Sequence, residues 1–302
     1  MRSHTRFILP LSLLLPAVLS TAAAVNAGGY PHYIQNGIAC ASCHNVHGDQ
    51  PKHLWEQPAQ QDIDHTLFNQ LCWSCHNDLD APAVLTHSSQ QSSDAYGNWT
   101  VECVVCHDPH LHYQALTYPD AFLAEGTVAG VGATTLTKAG SADWTPDAFQ
   151  GMIVFPNTAY MHTSYRIVGN SADTLTVDPD VSTPQVDGTM DLSQAAAGDS
   201  FAVSYGRLIR STVDLGRIAE YSSTELPLPE PTHPKSGTRE VKFVRPTGAD
   251  SFADGDGTYR GICEVCHTQT TCHRNSAAGD HSHGPGGTDC MTCHDHASGF
   301  MH

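Results

Sequence analysis

The chain contains the pattern Cys-x-x-Cys-His five times, and this repeat limits what the polypeptide can fold into. We number the motifs 1 to 5 in chain order: Cys40, Cys43 and His44; Cys72, Cys75 and His76; Cys103, Cys106 and His107; Cys263, Cys266 and His267; Cys290, Cys293 and His294. The pattern is the attachment site of a c-type haem, where both sulfurs bind the porphyrin and the histidine becomes an axial ligand of the iron. The sequence therefore predicts five covalently bound haems c.

Zinc ribbons are the competing interpretation, because paired Cys-x-x-Cys units also bind zinc. Zinc ribbons do not require a histidine directly after the second cysteine. Histidine makes up 20 of the 302 residues, so five such followers by chance have a probability of about one in a million. The histidines favour haem over zinc.

Residues 1–27 have the form of a signal peptide. Arg2 and Arg6 give a basic start, residues 7–19 are apolar, and Ala27 ends a small-residue cleavage site. The apolar stretch is too short, and too broken by proline, to span a membrane, and no later run approaches the roughly 20 apolar residues required. We therefore expect a secreted protein without a membrane span, in the periplasm, on the outer surface or extracellular.

The charge balance is acidic, with 31 Asp and Glu residues against 14 Lys and Arg residues and a net charge of −17. This net negative charge argues against nucleic acid or anionic lipid as a partner and favours basic proteins or metal cations. The acidic residues are equally compatible with a role in solubility alone.

The motif positions divide the chain into five segments. Motifs 1 to 3 are almost evenly spaced, which indicates a repeating one-haem unit, whereas a long stretch without a motif separates motif 3 from motif 4. We predict a signal peptide, a three-haem block, a haem-free β-rich insert, a Pro-rich linker or strap, and a two-haem block, at residues 1–27, 28–118, 119–222, 223–256 and 257–302. The expected fold is mostly irregular and short-helical, is scaffolded by its haems, and carries an inserted small all-β domain.

The insert has the pattern of short strands. Stretches rich in Val, Ile, Thr, Tyr and Phe occur at 126–137, 152–155, 164–168, 174–177 and 200–213, and turn signals such as Gly169-Asn170 separate them. About five to seven strands in a small sandwich or barrel-like domain are expected. Residues 225–235 hold four prolines and predict an extended linker or a strap along the haem domain.

The chain has enough histidines to supply two axial ligands to every haem, and we predict two axial histidines at all five haems or at the majority of them. A filled axial position favours electron transfer, and an open one can bind small molecules. The favoured distal ligands are His47, His65, His110, His273 and His296, followed by His32, His87, His281 and His283. A histidine three residues after its motif, such as His47 or His110, is too close to reach over its own haem and points to a neighbouring one.

The remaining histidines are interpreted as surface residues or hydrogen-bond donors to haem propionates, and that interpretation stays open for every distal candidate. This group comprises His53, His112, His162, His233 and His302, of which His162 and His233 could also reach a haem. Cys272 lies outside the motifs and is interpreted as a free thiol, with a redox or intermolecular disulfide role as the alternative.

Two stretches resemble the paired-motif modules of the multihaem c-type cytochromes of metal-reducing and sulfur-reducing bacteria. They are Cys103-Val-Val-Cys-His-Asp-Pro-His110 and Cys290-Met-Thr-Cys-His-Asp-His-Ala-Ser-Gly-Phe300, and the resemblance covers roughly 28–118 and 257–302. It implies stacked bis-histidine haems, respiratory electron transfer, and redox partner proteins or extracellular acceptors. Some relatives polymerise into conductive extracellular filaments. The insert does not match the compact members of the family.

Three functions compete at this point. An electron-transfer protein, rather than an enzyme, is favoured by the even motif spacing and the histidine surplus. A multihaem reductase of a small oxyanion or nitrogen compound is the alternative, but it needs an open iron, sometimes marked by Cys-x-x-Cys-Lys, and that motif is absent. The third is a subunit of a conductive filament, which shares the chemistry of the first.

Overall fold

The computed structural model describes residues 30–32, 38, 40–44, 69–85, 87–88, 100–161, 163–178, 195–215, 237–246, 249–252, 258, 260–266, 294–296 and 300. Several predicted features lie outside these ranges: the signal peptide, the Pro-rich stretch 225–235, His47, His65, His267, Cys272, His273, Cys290 and Cys293. None of the helices within the ranges is long and apolar enough to cross a membrane.

Short helices accompany the first three motifs. The helices are α1 (Cys40–Cys43), α2 (Asn69–Trp73), α3 (Cys103–Cys106) and α4 (Tyr113–Thr117). In motif 3 the backbone amide of His107 donates to the carbonyl of Cys103 at 2.8 Å. Residues three and four apart share one face of a helical turn. The turn therefore places both cysteines and the histidine on the same side of the backbone.

Six antiparallel strands close into a barrel between the haem-motif segments. They are β3 (Ala124–Val131), β4 (Thr135–Lys138), β5 (Ile153–Phe155), β6 (Tyr165–Asn170), β7 (Thr174–Val177) and β8 (Ser200–Ser204), hydrogen-bonded in the closed order β3-β4-β7-β6-β5-β8. Two pairs lie outside the barrel: β1 (His87–Ser88) with β2 (Thr100–Val101), and β9 (Thr212–Asp214) with β10 (Thr238–Glu240).

The barrel interior follows the alternation of the strands. In β6, Tyr165 and Ile167 are buried and Arg166 between them is exposed, as expected when successive side chains point to opposite faces. The interior residues are Val128, Leu136, Val154, Tyr165, Ile167, Leu175, Val177, Phe201 and Val203. The stretch predicted as one strand run at 126–137 contains two strands, because the amide of Gly132 and the carbonyl of Thr135 close a turn at 2.8 Å.

One wall of the barrel also packs outward. All three residues of β5 are buried, because Val154 faces the interior while Ile153 and Phe155 join a second apolar cluster with Ala115 of α4. A strand covered on both faces is apolar throughout. The barrel is therefore joined by packing to the segment that follows motif 3.

The barrel begins and ends at neighbouring points. The amide of Leu123, just before β3, donates to the carbonyl of Val203 in β8 at 2.8 Å. The next residue, Ala124, is paired with Val203 in the sheet register. Chain entry and chain exit thus lie side by side.

The chain after β8 returns to motif 3. Backbone hydrogen bonds join Asp108 to Leu208 and Arg210 to Cys106, both at 2.9 Å, and form an isolated bridge between His107 and Ile209. A third apolar cluster forms here from Val105, Tyr205, Ile209, Val213, Leu215, Val241, Phe243 and Val265.

Gln114 ties these segments together from the interior. Its side chain is 3 % exposed, and its amide nitrogen donates to the carbonyls of Arg210 (2.7 Å) and Val241 (3.1 Å). Its amide oxygen accepts from the backbone of Phe243 at 2.7 Å. Part of the stretch predicted as a linker at 223–256 is thus bound into the protein.

Candidate functional site

The cysteines of successive motifs lie next to one another. Asn69 of α2 accepts a hydrogen bond from the amide of Cys103 at 2.8 Å. A side-chain hydrogen bond to Cys103 is the main cause that lowers the pKa of Cys72. Burial raises the pKa of Cys43, and the proximity of Cys72 raises it further. Motifs 1, 2 and 3 therefore lie close together in the folded chain.

Motif 4 lies beside motif 3, although the insert separates the two motifs in sequence. Burial, followed by the proximity of Cys266, raises the pKa of Cys106 to about 12. Val105 of motif 3 and Val265 of motif 4 belong to the same buried cluster, and both are 2 % exposed. The 3D arrangement thus joins motifs that are far apart in sequence.

Three histidines of the motifs face a second histidine. The ring centroids of His76 and His32 are 6.2 Å apart, with ring planes at 86°. Those of His44 and His110 are 5.8 Å apart at 29°, and those of His107 and His296 are 6.1 Å apart at 78°. Each pair combines a motif histidine with a histidine from a different part of the chain.

This separation fits an iron between two imidazoles. A ligating nitrogen lies about 2 Å from its metal and about 1 Å from its own ring centroid, so two imidazoles on opposite faces of one iron have centroids about 6 Å apart. Directly stacked rings can lie closer, whereas direct edge-on contact occurs at similar distances, as between His112 and Phe155 at 5.8 Å. The residues present therefore fit a haem iron at each of the three positions. Among the described residues no group of three or more His, Cys, Asp or Glu side chains is arranged to hold a metal ion.

Two of the motif histidines are oriented by a hydrogen bond at Nδ1. His76 Nδ1 lies 3.1 Å from the carbonyl of Pro82, and His294 Nδ1 lies 3.1 Å from that of Phe300. Because a carbonyl oxygen can only accept, Nδ1 carries the proton and Nε2 keeps its lone pair. A second partner at the far nitrogen is the usual arrangement for a metal-bound histidine.

His110 is oriented by a carboxylate. Asp108, 7 % exposed, accepts from the amide of His110 at 2.9 Å and lies 3.2 Å from its Nδ1. Arg210 pairs with the other carboxylate oxygen at 3.3 Å and donates from Nε to the carbonyls of Val104 (2.8 Å) and His107 (3.2 Å). Arg210, in the segment between β8 and β9, thus fixes both the end of α3 and the carboxylate that holds His110.

Burial favours the neutral form of three of the six paired rings, and the neutral form is the one that binds a metal. Burial, followed by the proximity of His296, lowers the pKa of His107 to about 4. Burial is also the main cause that lowers the pKa of His32 and of His296. Within the described part of the chain, His32 and His296 each keep a buried Nδ1 without a hydrogen-bond partner.

Of the two roles predicted for His112, surface residue or hydrogen-bond donor to a haem propionate, the first is wrong. The residue is 2 % exposed, its Nε2 lies 2.9 Å from the carbonyl of Tyr30, and its ring meets Phe155 edge-on at 5.8 Å. Burial lowers its pKa to about 4. The ring fills the junction between the barrel and the N-terminal segment, which no local sequence pattern indicates.

The described distal candidates differ in their surroundings. His110 and His296 each face a motif histidine, as does His32, which ranks lower in the sequence interpretation. His87 in β1 packs edge-on against Phe300, with ring centroids 4.8 Å apart. His47, His65 and His273 lie outside the described residues, as do His267 of motif 4 and Cys290 and Cys293 of motif 5.

Comparison with known proteins identifies one family feature. Residues 32–81 match the family model described as a doubled CXXCH motif. This match indicates covalently bound haem c and supports a multihaem c-type cytochrome that functions in electron transfer. No curated protein and no solved structure matches the chain.

Proposed function

We propose that this chain is a pentahaem c-type cytochrome that carries electrons through stacked bis-histidine haems in extracytoplasmic respiration. The observation that carries the proposal is the set of three histidine pairs, each with ring centroids about as far apart as one iron between two imidazoles requires. Motifs 4 and 5 repeat the same local pattern and complete the count of five.

The chain's own residues perform three tasks in this proposal. Bound haem supplies one-electron chemistry at its iron. His32, His110 and His296 would hold the iron opposite the motif histidines, so that small molecules would be excluded there. Backbone carbonyls and Asp108 hold the ring orientations, and the buried clusters around Val105 and Phe155 fix the segments that carry motif 3. Such a centre exchanges electrons without binding a substrate, and we infer no enzymatic activity.

The wider assignment belongs to the same proposal. The haem blocks are scaffolded by their cofactors, the all-β domain is inserted between them, and residues 1–27 direct export to the periplasm, outer surface or extracellular space. Redox partner proteins or extracellular acceptors receive the electrons. The even spacing of motifs 1 to 3 and the acidic charge support this reading.

Intact mass and optical spectra of the secreted protein test the proposal. We expect a mass increment of five haems and a reduced spectrum of six-coordinate, low-spin haem at every site. A colourless, zinc-loaded preparation would refute haem binding. A full complement of haem with one high-spin ferric centre and turnover of nitrite, hydroxylamine or sulfite would favour the reductase alternative.

Filament assembly is the most specific part of the proposal. It is supported by the resemblance of motifs 3 and 5 to a family with filament-forming members. Negative-stain microscopy of culture supernatant should show filaments that contain the protein. Dispersed monomers alone would remove assembly and leave electron transfer intact.

A further inference from the structure

We infer that His296 is the second axial ligand of the haem attached at motif 3, opposite His107, so that a residue from the C-terminal haem block completes a site in the N-terminal block. This inference rests on the proposed function and deepens it. It assigns one ligand to one haem and makes that haem the junction between the two blocks.

His107 and His296 are each anchored by contacts of the segment that carries them. His107 forms the backbone bridge to Ile209, and its carbonyl accepts from Arg210 Nε at 3.2 Å. The carbonyl of His296 accepts from the amide of Leu85 at 3.1 Å, and its ring packs edge-on against Phe300 at 4.7 Å. The 6.1 Å between the His107 and His296 centroids therefore lies between two anchored segments.

The competing assignment for His296 is the haem of its own motif, motif 5. His296 follows the motif histidine His294 by only two residues, too few to cross to the opposite face of that haem. His294 is turned by its contact with the Phe300 carbonyl at 3.1 Å, and in the described chain the motif histidine facing His296 is His107.

An independent contact brings the two blocks together at the same place. Val105 and Val265, one from motif 3 and one from motif 4, share a buried cluster with Val213 and Val241. Cys106 and Cys266 also pack against this cluster. The haems of motifs 3 and 4 are therefore expected to be neighbours, although the insert separates these motifs in sequence.

The test places His296→Ala in three backgrounds of the full-length protein. The first is the wild-type chain, the second lacks haem 5 through Cys290→Ala and Cys293→Ala, and the third lacks haem 3 through Cys103→Ala and Cys106→Ala. Haem content is measured by mass, and spin state by electron paramagnetic resonance and optical spectroscopy. His302→Ala, at a histidine of the C-terminal block that is not among the distal-ligand candidates, is the matched control.

We expect His296→Ala to convert one haem per chain from low-spin to high-spin in the wild-type and haem-5-deficient backgrounds. In the haem-3-deficient background it should produce no further high-spin haem. Added imidazole should restore the low-spin signal, and His296→Met should keep six-coordination with a raised potential. Rescue by imidazole and the result for His296→Met distinguish the loss of an axial ligand from a loss of folding.

An effect of His296→Ala that disappears with haem 5 and persists without haem 3 would overturn the inference. So would five low-spin haems in the His296→Ala protein. Both outcomes leave the proposed electron-transfer function standing. That function fails only if the wild-type chain carries no haem or carries an open, reactive iron.

Discussion

The carboxylate of Asp108 contacts His110 twice, at 2.9 Å from the backbone amide and at 3.2 Å from ring Nδ1. A carboxylate hydrogen-bonded to a metal-binding histidine fixes the tautomer and increases the basicity of the ligating nitrogen. Because His110 faces His44, this contact would act on the haem of motif 1 under the proposed function. Asp108 is a positioning residue in this arrangement.

Asp108→Asn should raise the midpoint potential of one haem. A less basic histidine stabilises ferric iron less, and each tenfold change in the relative affinity for ferric and ferrous iron moves a one-electron potential by about 60 mV. We expect an upward shift on the order of tens of millivolts with the low-spin state retained, measured by spectroelectrochemistry. Asp80→Asn removes the same charge at an exposed position and should shift no single haem comparably; equal shifts would contradict the positioning role.

The ring angles predict two kinds of ferric spectrum. Near-parallel imidazoles, as in the 29° pair of His44 and His110, split the iron d orbitals and give a rhombic low-spin signal. Near-perpendicular rings, as in the 78° and 86° pairs, leave these orbitals almost degenerate and give a strongly anisotropic signal. Electron paramagnetic resonance should therefore show at least one haem of the first kind and at least two of the second. A single uniform low-spin species would be inconsistent with this geometry.

Gln114→Glu should destabilise the folded, haem-loaded protein. The new carboxyl group cannot donate to the carbonyls of both Arg210 and Val241, and a buried unsatisfied group costs about 1–3 kcal/mol. Thermal unfolding should show a Tm lowered by a few degrees, at about 2–4 °C for each kcal/mol. Gln150→Glu makes the same chemical change at an exposed site and should leave Tm nearly unchanged.

Gly206→Ala should also be destabilising. Gly206 has φ +70°, and a Cβ there would overlap the side chain of Ile153. Positive φ in a non-glycine residue costs about 1–3 kcal/mol before any overlap is added. The control is Gly130→Ala in β3, where nothing lies within 4 Å of the new methyl group. We expect a lower Tm for the first variant and an unchanged or slightly higher Tm for the second; similar values for both would contradict the strain at Gly206.

Local patterns account for much of what the sequence predicts. The Cys-x-x-Cys-His spacing corresponds to a single helical turn, so Cys103, Cys106 and His107 can be assigned a common role from sequence alone. Alternation at Tyr165, Arg166 and Ile167 likewise reflects the two faces of one strand. Each of these features depends on residues fewer than five positions apart.

The remaining features depend on tertiary contacts. His32 faces His76 because the chain near Tyr30 docks against the rest of the protein. One contact that holds it there is the hydrogen bond from the amide of Tyr30 to the side chain of Ser164 at 3.1 Å. The buried position of Gln114 is set by hydrogen bonds to segments that lie more than 90 residues away in sequence. No period or spacing in the sequence encodes such contacts, so the sequence alone could not predict which histidines face each other or how Gln114 is held.

The hydrogen bond between Leu123 and Val203 gives the barrel a further property. Because the polypeptide leaves and rejoins the segment of motif 3 within one hydrogen bond, the barrel is an insertion with adjacent ends. Under the proposed function it lies off the route of the electrons, and a partner protein that binds the barrel would leave the order of the haems unchanged.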